Sequence, residues 1–368
     1  MPSRFIFRAQ GLPKNATVRD IEGLGTQFCK PGEKLALVAD SVSFVPSCSG
    51  SRTQTALFSV QPPLPSFLKT EGSFAFQLRG HDVEVDMNFY GLTQMYPTPA
   101  GKPIIADIVA VTGINSHAYG SWKSKEGLEQ MWLRDFLSKD FPNCRTMTFG
   151  YNADLKDQSV HRILDYCRRF LKDLEYIRQS QEEARRPIIF IGHSYGGLIV
   201  AHSLVKAKFD QTRGKKAPLD ALLQATRGIL FFGTPHRGML VEDLVQALKK
   251  SGITEREGLL AEIQQNSKTL ELQLGRFVDI CDGFKIASFY ELKPTRSLVV
   301  DKGDVWRLGG AYKMAVQDTS SILRLPNTVE WKRPVDADHS GMVKFKANSD
   351  KTYAEVRNVL KTMLSDAL

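Results

Sequence analysis

The sequence is short of the features that would place it in several large protein classes. No uninterrupted stretch approaches the ~18 apolar residues of a membrane-spanning helix. The opening Met1-Pro2-Ser3-Arg4-Phe5-Ile6-Phe7-Arg8 lacks the long apolar segment that directs secretion. An intracellular protein is expected, cytoplasmic or peripheral to an organelle membrane, and Asn15-Ala16-Thr17 is then a chance match to a glycosylation acceptor. The five cysteines (Cys29, Cys48, Cys144, Cys167, Cys281) form no C-x-x-C pair. Cys144 and Cys167 fall in apolar patterns, where a small buried side chain in a reducing compartment is the natural reading. H-E-x-x-H, a P-loop and a dinucleotide-binding glycine fingerprint are all missing, which predicts chemistry with no metal and no cofactor. The formal charge is +9, yet Lys and Arg are dispersed and gather only in pairs such as Arg185-Arg186, Lys215-Lys216 and Lys249-Lys250. Dispersed charge reads as a solvated surface; nucleic acid is not an expected partner, whereas mild attraction to an anionic lipid surface is compatible with it.

What is present is an ordinary globular composition: 368 residues, 42% hydrophobic and 24% charged. That length suits a catalytic domain of about 250 residues with a smaller module beside it. Residues 1–68 read as a small α+β module, with a strand at Phe5–Arg8, a helix starting at Thr17, alternation over Lys34–Phe44 and a strand at Thr55–Val60. Its order is similar to that of RNA-recognition domains, but Thr53–Val60 lacks the basic-aromatic pattern on which those domains stack bases. A packing or partner-binding role is expected instead. Residues 69–103 read as linker and edge strands. The three prolines of Gln61–Pro65 mark the break, and Phe74–Tyr90 offers two strands for the edge of a main sheet. From residue 104 to 368 strand-like and helix-like patterns alternate, which predicts an α/β architecture: a mostly parallel, doubly wound sheet covered on both faces.

The centre of that domain is Pro187–Val200. A buried-strand run, Ile188–Ile191, stops at Gly192, and a helical pattern restarts after Gly196. Ser194 stands between them as G-x-S-x-G, the spacing of a sharp strand-to-helix turn that lifts a serine hydroxyl clear of a sheet. Such a turn aims the next N–H, that of Tyr195, at a developing oxyanion, and the following helix adds its positive end. A plain strand-to-helix turn is the bland alternative. Ile104–Val111, interrupted by Asp107, leads into Thr112-Gly113-Ile114-Asn115, where the Ile114 N–H is the candidate second oxyanion donor; here too an ordinary turn is the alternative.

A serine hydroxyl needs a base, usually a histidine oriented by a carboxylate, and this arrangement runs in chain order serine, acid, histidine. Of the seven histidines, His81, His117, His161 and His193 precede the serine and His202 lies in the helix after it. His236, in Gly233-Thr234-Pro235-His236-Arg237-Gly238, follows a strand too early and reads as crevice-lining or loop-fixing. His339, just beyond the last strand Val329–Val335, is the candidate base. Glu291, at the end of the strand Lys285–Leu292, is the first choice of acid, with Asp301 second and Asp304 third. Residues 239–283 form a helical insertion too long for a connection and read as a lid.

Six segments together carry a family resemblance: Asp107–Gly113, Trp132–Leu137, Gly192–Gly197, Phe232–Gly238, Ser288–Glu291 and Asp338–Met342. They resemble the lipase-like serine hydrolases of fungi and are similar to GPI inositol-deacylases and to mitochondrial-contact phospholipid-remodelling serine hydrolases. The resemblance implies an α/β-hydrolase fold, Ser194 as nucleophile, His339 as base, and ester or acyl substrates in lipid or secondary metabolism. The expectation is a serine esterase acting through an acyl-enzyme on a small-molecule or lipid ester, a lactone or a thioester. The alternative is a catalytically weak hydrolase-fold module for partner binding or signalling.

Overall fold

The computed structural model describes residues 4–50, 52–69, 72–124, 126, 129–212, 219–300 and 306–365. Its first part is a five-stranded antiparallel sheet built around β1 (Phe5–Pro13). Helix α1 (Val18–Phe28) follows, entered through Thr17, whose N–H donates to the Asp20 carboxylate at 2.7 Å. Then come β2 (Ser43–Pro46), β3 (Thr53–Val60), β4 (Ser73–Leu78) and β5 (His81–Asp86), giving the order β2-β3-β1-β5-β4. Side chains alternate across a strand, and here both sets are buried. Phe7, Ala9, Phe58, Val83 and Val85 meet Ile21 and Leu24 of α1 in one core. Ile6 and Leu57 face the other way and pack into the core of the large domain. Phe58 stacks on Phe7 at 5.8 Å within the module, so the sheet aromatics of β3 face its own interior.

The strands of Phe74–Tyr90 depart from the sequence reading, which closed the module at 68 and assigned 69–103 to linker and main-sheet edge. β5 takes the free side of β1, with Ala9 opposite Val85, and β4 pairs with β5. Val83 and Val85 thereby complete the core of the small sheet, a pairing that local patterning does not encode. The stretch Lys34–Phe44 also differs, reaching strand geometry only from Ser43.

The large sheet starts with β6 (Gly91–Gln94), β7 (Ala106–Val111) and β8 (Cys144–Gly150). Helix α2 (Ile163–Ile177) leads to β9 (Ile188–His193), and α3 (Tyr195–Thr212) to β10 (Thr226–Phe232). Three helices, α4 (Glu242–Lys250), α5 (Glu257–Ile263) and α6 (Lys268–Val278), precede β11 (Lys285–Glu291). A separate antiparallel ribbon, β12 (Thr295–Val300) and β13 (Trp306–Lys313), comes before β14 (Glu330–Val335), and α7 (Lys351–Ser365) ends the described chain. The order is β14-β11-β10-β9-β7-β8-β6, parallel throughout except where β6 meets β8. In β9, Ile188 and Phe190 join Phe170, Leu171 and Leu174 of α2 on one face. Ile189 and Ile191 join Trp132, Phe136, Tyr353 and Leu360 on the other. An apolar run buried on both sides is what a parallel strand requires.

Asp107, the break in the β7 run, is fully buried and pairs with Arg145 through two contacts of 2.8 and 2.9 Å and with Arg178. A buried carboxylate is tolerable only with such partners. The cluster lies at the strand end opposite Ser194, where Asp107 registers with Ile188.

The insertion at 239–283, read from the sequence as a lid, packs closely into the domain. Leu248, Leu259, Leu260, Ile263, Leu270 and Phe277 are buried in the same core as α2 and α3. Arg256, fully buried, donates to the Tyr166 hydroxyl at 2.9 Å. The apolar spacing that suggests a cap is here the face by which three helices join the domain.

Candidate active site

Ser194 lies between β9 and α3 with φ +54°, a left-handed conformation that costs a non-glycine residue on the order of 1 kcal/mol or more. Its N–H donates to Phe232 O at 2.8 Å and its carbonyl accepts from Gly197 N at 3.0 Å, so the strained residue is held from both sides. The glycines are required for space: a Cβ at 192 would strike the Gly197 backbone, one at 196 the carbonyls of Val111 and Thr112, and one at 197 the Thr234 side chain. Gly197 extends the motif by one position. The elbow is thus wedged between the ends of β7 and β10.

The loop after β7 abuts the serine. A Cβ at Gly113 would lie 2.8 Å from Ser194 Cβ. The next residues are pinned by the end of β8: Tyr151 Oη donates to Thr112 O at 2.8 Å, and Asn115 N, at φ +51°, donates to Ala153 O at 2.7 Å. Among the described residues no acceptor takes the N–H of Ile114 or of Tyr195. Ile114 and Ser194 both line one pocket.

His339 and Glu291 are brought together. Nδ1 of His339 is 2.6 Å from Oε2 of Glu291, whose side chain is fully buried and whose Oε1 accepts from Val316 N at 3.1 Å. The register of β11 against β14, Glu291 opposite Val335, places the strand-end carboxylate beside the loop that carries the histidine. His339 Nε2 is buried with no partner among the described residues, and His339 lines the same pocket as Ser194. Asp301 and Asp304 lie outside the described residues.

The other singled-out groups sort by position. His236 is buried, its ring edge against Phe231 at 4.7 Å, and burial, with smaller contributions from Arg237 and His202, pushes its pKa down to about 3. Its N–H reaches Thr234 O and Ser320 O, and the Arg237 guanidinium donates to Thr319 O, Ile322 O and Leu323 O. This segment fixes a loop and does not line the pocket. His193 was passed over in the sequence. Its Nε2 lies 2.9 Å from His339 O, and burial, with the neighbouring His339 adding, pushes its pKa down to about 3.

The pocket has a volume of about 430 Å³. Ile114, Leu155, Met239, Leu240 and Leu244 are its apolar lining; Thr295, Arg296, Arg307 and Lys313 of the ribbon line it as well. Lys313 pairs with Asp243 at 2.9 Å, and Arg296 lies over the Tyr312 ring at 4.9 Å. A larger cleft of about 580 Å³, around Arg8, Tyr90, Arg169 and Asp173, contains none of the candidate residues. Among the described residues no cluster of His, Cys, Asp and Glu is arranged to hold a metal, and no helix is long and apolar enough to cross a membrane.

A mostly parallel sheet of this order with one antiparallel edge, and a positive-φ serine between the central strand and its helix, is the α/β-hydrolase fold. Within that class the chain is similar to protein SERAC1 of Danio rerio, 27% identical over 214 residues that cover 53% of this chain and 31% of that protein. It is also similar to protein SERAC1 of Homo sapiens, 22% identical over 298 residues, 76% of this chain and 42% of that protein. The chain therefore spans less than half the length of these curated relatives. No family model matches. Among solved structures, a study of carboxylesterases of Nitrososphaera gargenis supplies one that overlaps with a TM-score of 0.42 at 8% identity, over 75% of this chain and 95% of that one. Lipase B of Aspergillus fumigatus overlaps with a TM-score of 0.41 at 10% identity, over 69% and 52%. The sheet order and the elbow, not these overlaps, define the fold.

Proposed function

We propose that the chain is a serine hydrolase that cleaves a carboxylic ester through an acyl-enzyme. One observation carries the reading: a serine strained into an elbow shares a pocket with a histidine whose Nδ1 is bound to a buried carboxylate. In this mechanism Ser194 Oγ attacks the ester carbonyl while His339 Nε2 takes its proton. Glu291 keeps the other proton on Nδ1, which presents Nε2 as the base and steadies the imidazolium that forms. The N–H groups of Tyr195 and Ile114 receive the oxyanion. His339 then protonates the leaving alcohol, and a water activated by the same ring releases the acid. The Leu155, Met239, Leu240 and Leu244 lining suits an apolar acyl part, in a lipid, lactone or thioester substrate. Exposed Leu240 and Arg296, both lining the pocket, suit approach to a lipid surface from this side.

Intact-mass detection of a fluorophosphonate adduct tests the reading. Wild type should gain one adduct, Ser194→Ala none, and His339→Ala and Glu291→Gln should label slowly. Turnover of p-nitrophenyl butyrate should fall by about 10⁴-fold or more in Ser194→Ala. A folded wild type that neither labels nor turns over an ester would discard the mechanism in favour of a hydrolase-fold binding module.

A further inference from the structure

His193 directly precedes Ser194, and no step above uses it. Its acceptor is the main-chain oxygen of His339, 146 positions away in sequence. A carbonyl only accepts, so Nε2 carries the ring proton and donates it. Nδ1 is buried with no partner among the described residues, and a second proton there would be a cation without a counter-charge. The ring therefore stays a neutral donor throughout the pH range in which an imidazole base works. Trp122 closes off one side, its ring edge-on at 6.3 Å and 69°, and the His339 ring lies 4.9 Å away on another.

His339 is held at every group except the one facing the pocket. Its N–H donates to Thr295 Oγ1 at 3.2 Å, its carbonyl accepts from His193, and Nδ1 meets Glu291 at 2.6 Å. These anchors come from the entry of β12, the end of β9 and the end of β11. The His193 anchor differs in kind from the other two, because its owner is covalently joined to the residue read as the nucleophile. Any displacement of the elbow is transmitted to the peptide of His339.

We propose that His193 is a positioning residue whose Nε2–H bond to the His339 carbonyl sets the separation of nucleophile and base. The inference rests on the reading of Ser194 and His339 given above. Fixing two groups from distant parts of a chain to within a fraction of an ångström is worth a great deal, since a 1 Å misplacement costs on the order of 100-fold in rate. His193 also lines the pocket, so a change of its side chain can touch substrate as well as His339, and recovery by a donor of the same reach is what isolates the bond.

The test compares wild type with His193→Phe and His193→Met, which remove the donor, and His193→Gln, whose amide nitrogen reaches about as far as Nε2. The probes are p-nitrophenyl butyrate and a fluorophosphonate, with far-ultraviolet circular dichroism and thermal melts to establish folding; two donor-free variants guard against one failing to fold. In the donor-free variants kcat should drop about 10- to 100-fold with KM within about twofold, and labelling of Ser194 should slow by a similar factor. Gln should recover most of both rates. Folded Phe or Met variants at wild-type rates would overturn the inference while leaving the hydrolase reading intact. So would a Gln variant no better than they are, since shape and not the donor would then matter. A wild type that forms no adduct would overturn both.

Discussion

At Gly113 the space for one methyl group decides whether the serine has room to work. The backbone there needs no special conformation, but an added Cβ would sit 2.8 Å from Ser194 Cβ and 3.2 Å from its Oγ. The loop can relieve that only by retreating, which moves the Ile114 N–H away from the oxyanion position proposed for it. Gly113→Ala should lower kcat for p-nitrophenyl butyrate by about 100-fold, the scale of losing one oxyanion donor, while the melting temperature changes little. Undiminished turnover would show that Ile114 is not a donor. At this scale the sequence is readable where chemistry and chain order coincide. The proposed nucleophile Ser194 is singled out through Gly192 and Gly196, the proposed base His339 through its place after the last strand, and the proposed acid Glu291 through its place at a strand end. His193 is unreadable for the opposite reason, since its meaning lies in one contact made across the folded chain. Gly197 adjoins the motif, yet its need to be glycine comes from Thr234, on a different loop.

Among the elements, the three helices between β10 and β11 show how one pattern is compatible with two placements. Apolar residues at helical spacing announce that one face will be buried, but not against what. In 239–283 that face meets α3 and the sheet, and only Met239, Leu240, Asp243 and Leu244 reach the pocket. The β12–β13 ribbon also lines the pocket, through Thr295, Arg296, Arg307 and Lys313. The two placements differ in energy. Leu260, wholly buried on α5, should cost about 2–5 kcal/mol when cut to alanine, because a cavity opens in the main core. A detachable cap would leave the main unfolding transition nearly where it was. Denaturant melts of Leu260→Ala against wild type distinguish these, and an unchanged midpoint would return the segment to the status of a lid.

Over the whole molecule, alternating strand and helix patterns after residue 104 correctly announce the parallel sheet, whereas the boundary before it is hidden. Nothing in the pattern of His81–Asp86 says whether it pairs with β1 or with the large sheet. The two parts also share a buried contact: Arg8 of β1 reaches Asp86 at 2.9 Å, Thr93 of β6 at 2.6 Å and Tyr90 O at 3.1 Å. Their stability should respond to acid through buried histidines. His193 and His236 have pKa values pushed down to about 3 and His202 to about 4, chiefly by burial, and His117 is lowered for the same reason. Above pH ~6.5, the ordinary histidine value, neither the folded nor the unfolded chain protonates them, and the stability they permit is fully present. Below it the unfolded chain takes up protons that the folded chain refuses, so stability falls, by roughly 1 kcal/mol per pH unit for each fully buried ring. Asp173, Glu175 and Glu262, raised mainly by burial, act in the opposite sense and offset part of this near their own titration. Melting temperature should therefore decline from pH 6.5 to 4.5. His202 belongs to none of the proposed catalytic steps, and replacing it with glutamine removes its share of the slope whatever the change in absolute stability. A His202→Gln protein whose melting temperature falls with pH as steeply as wild type would show that this ring is protonated in the folded state.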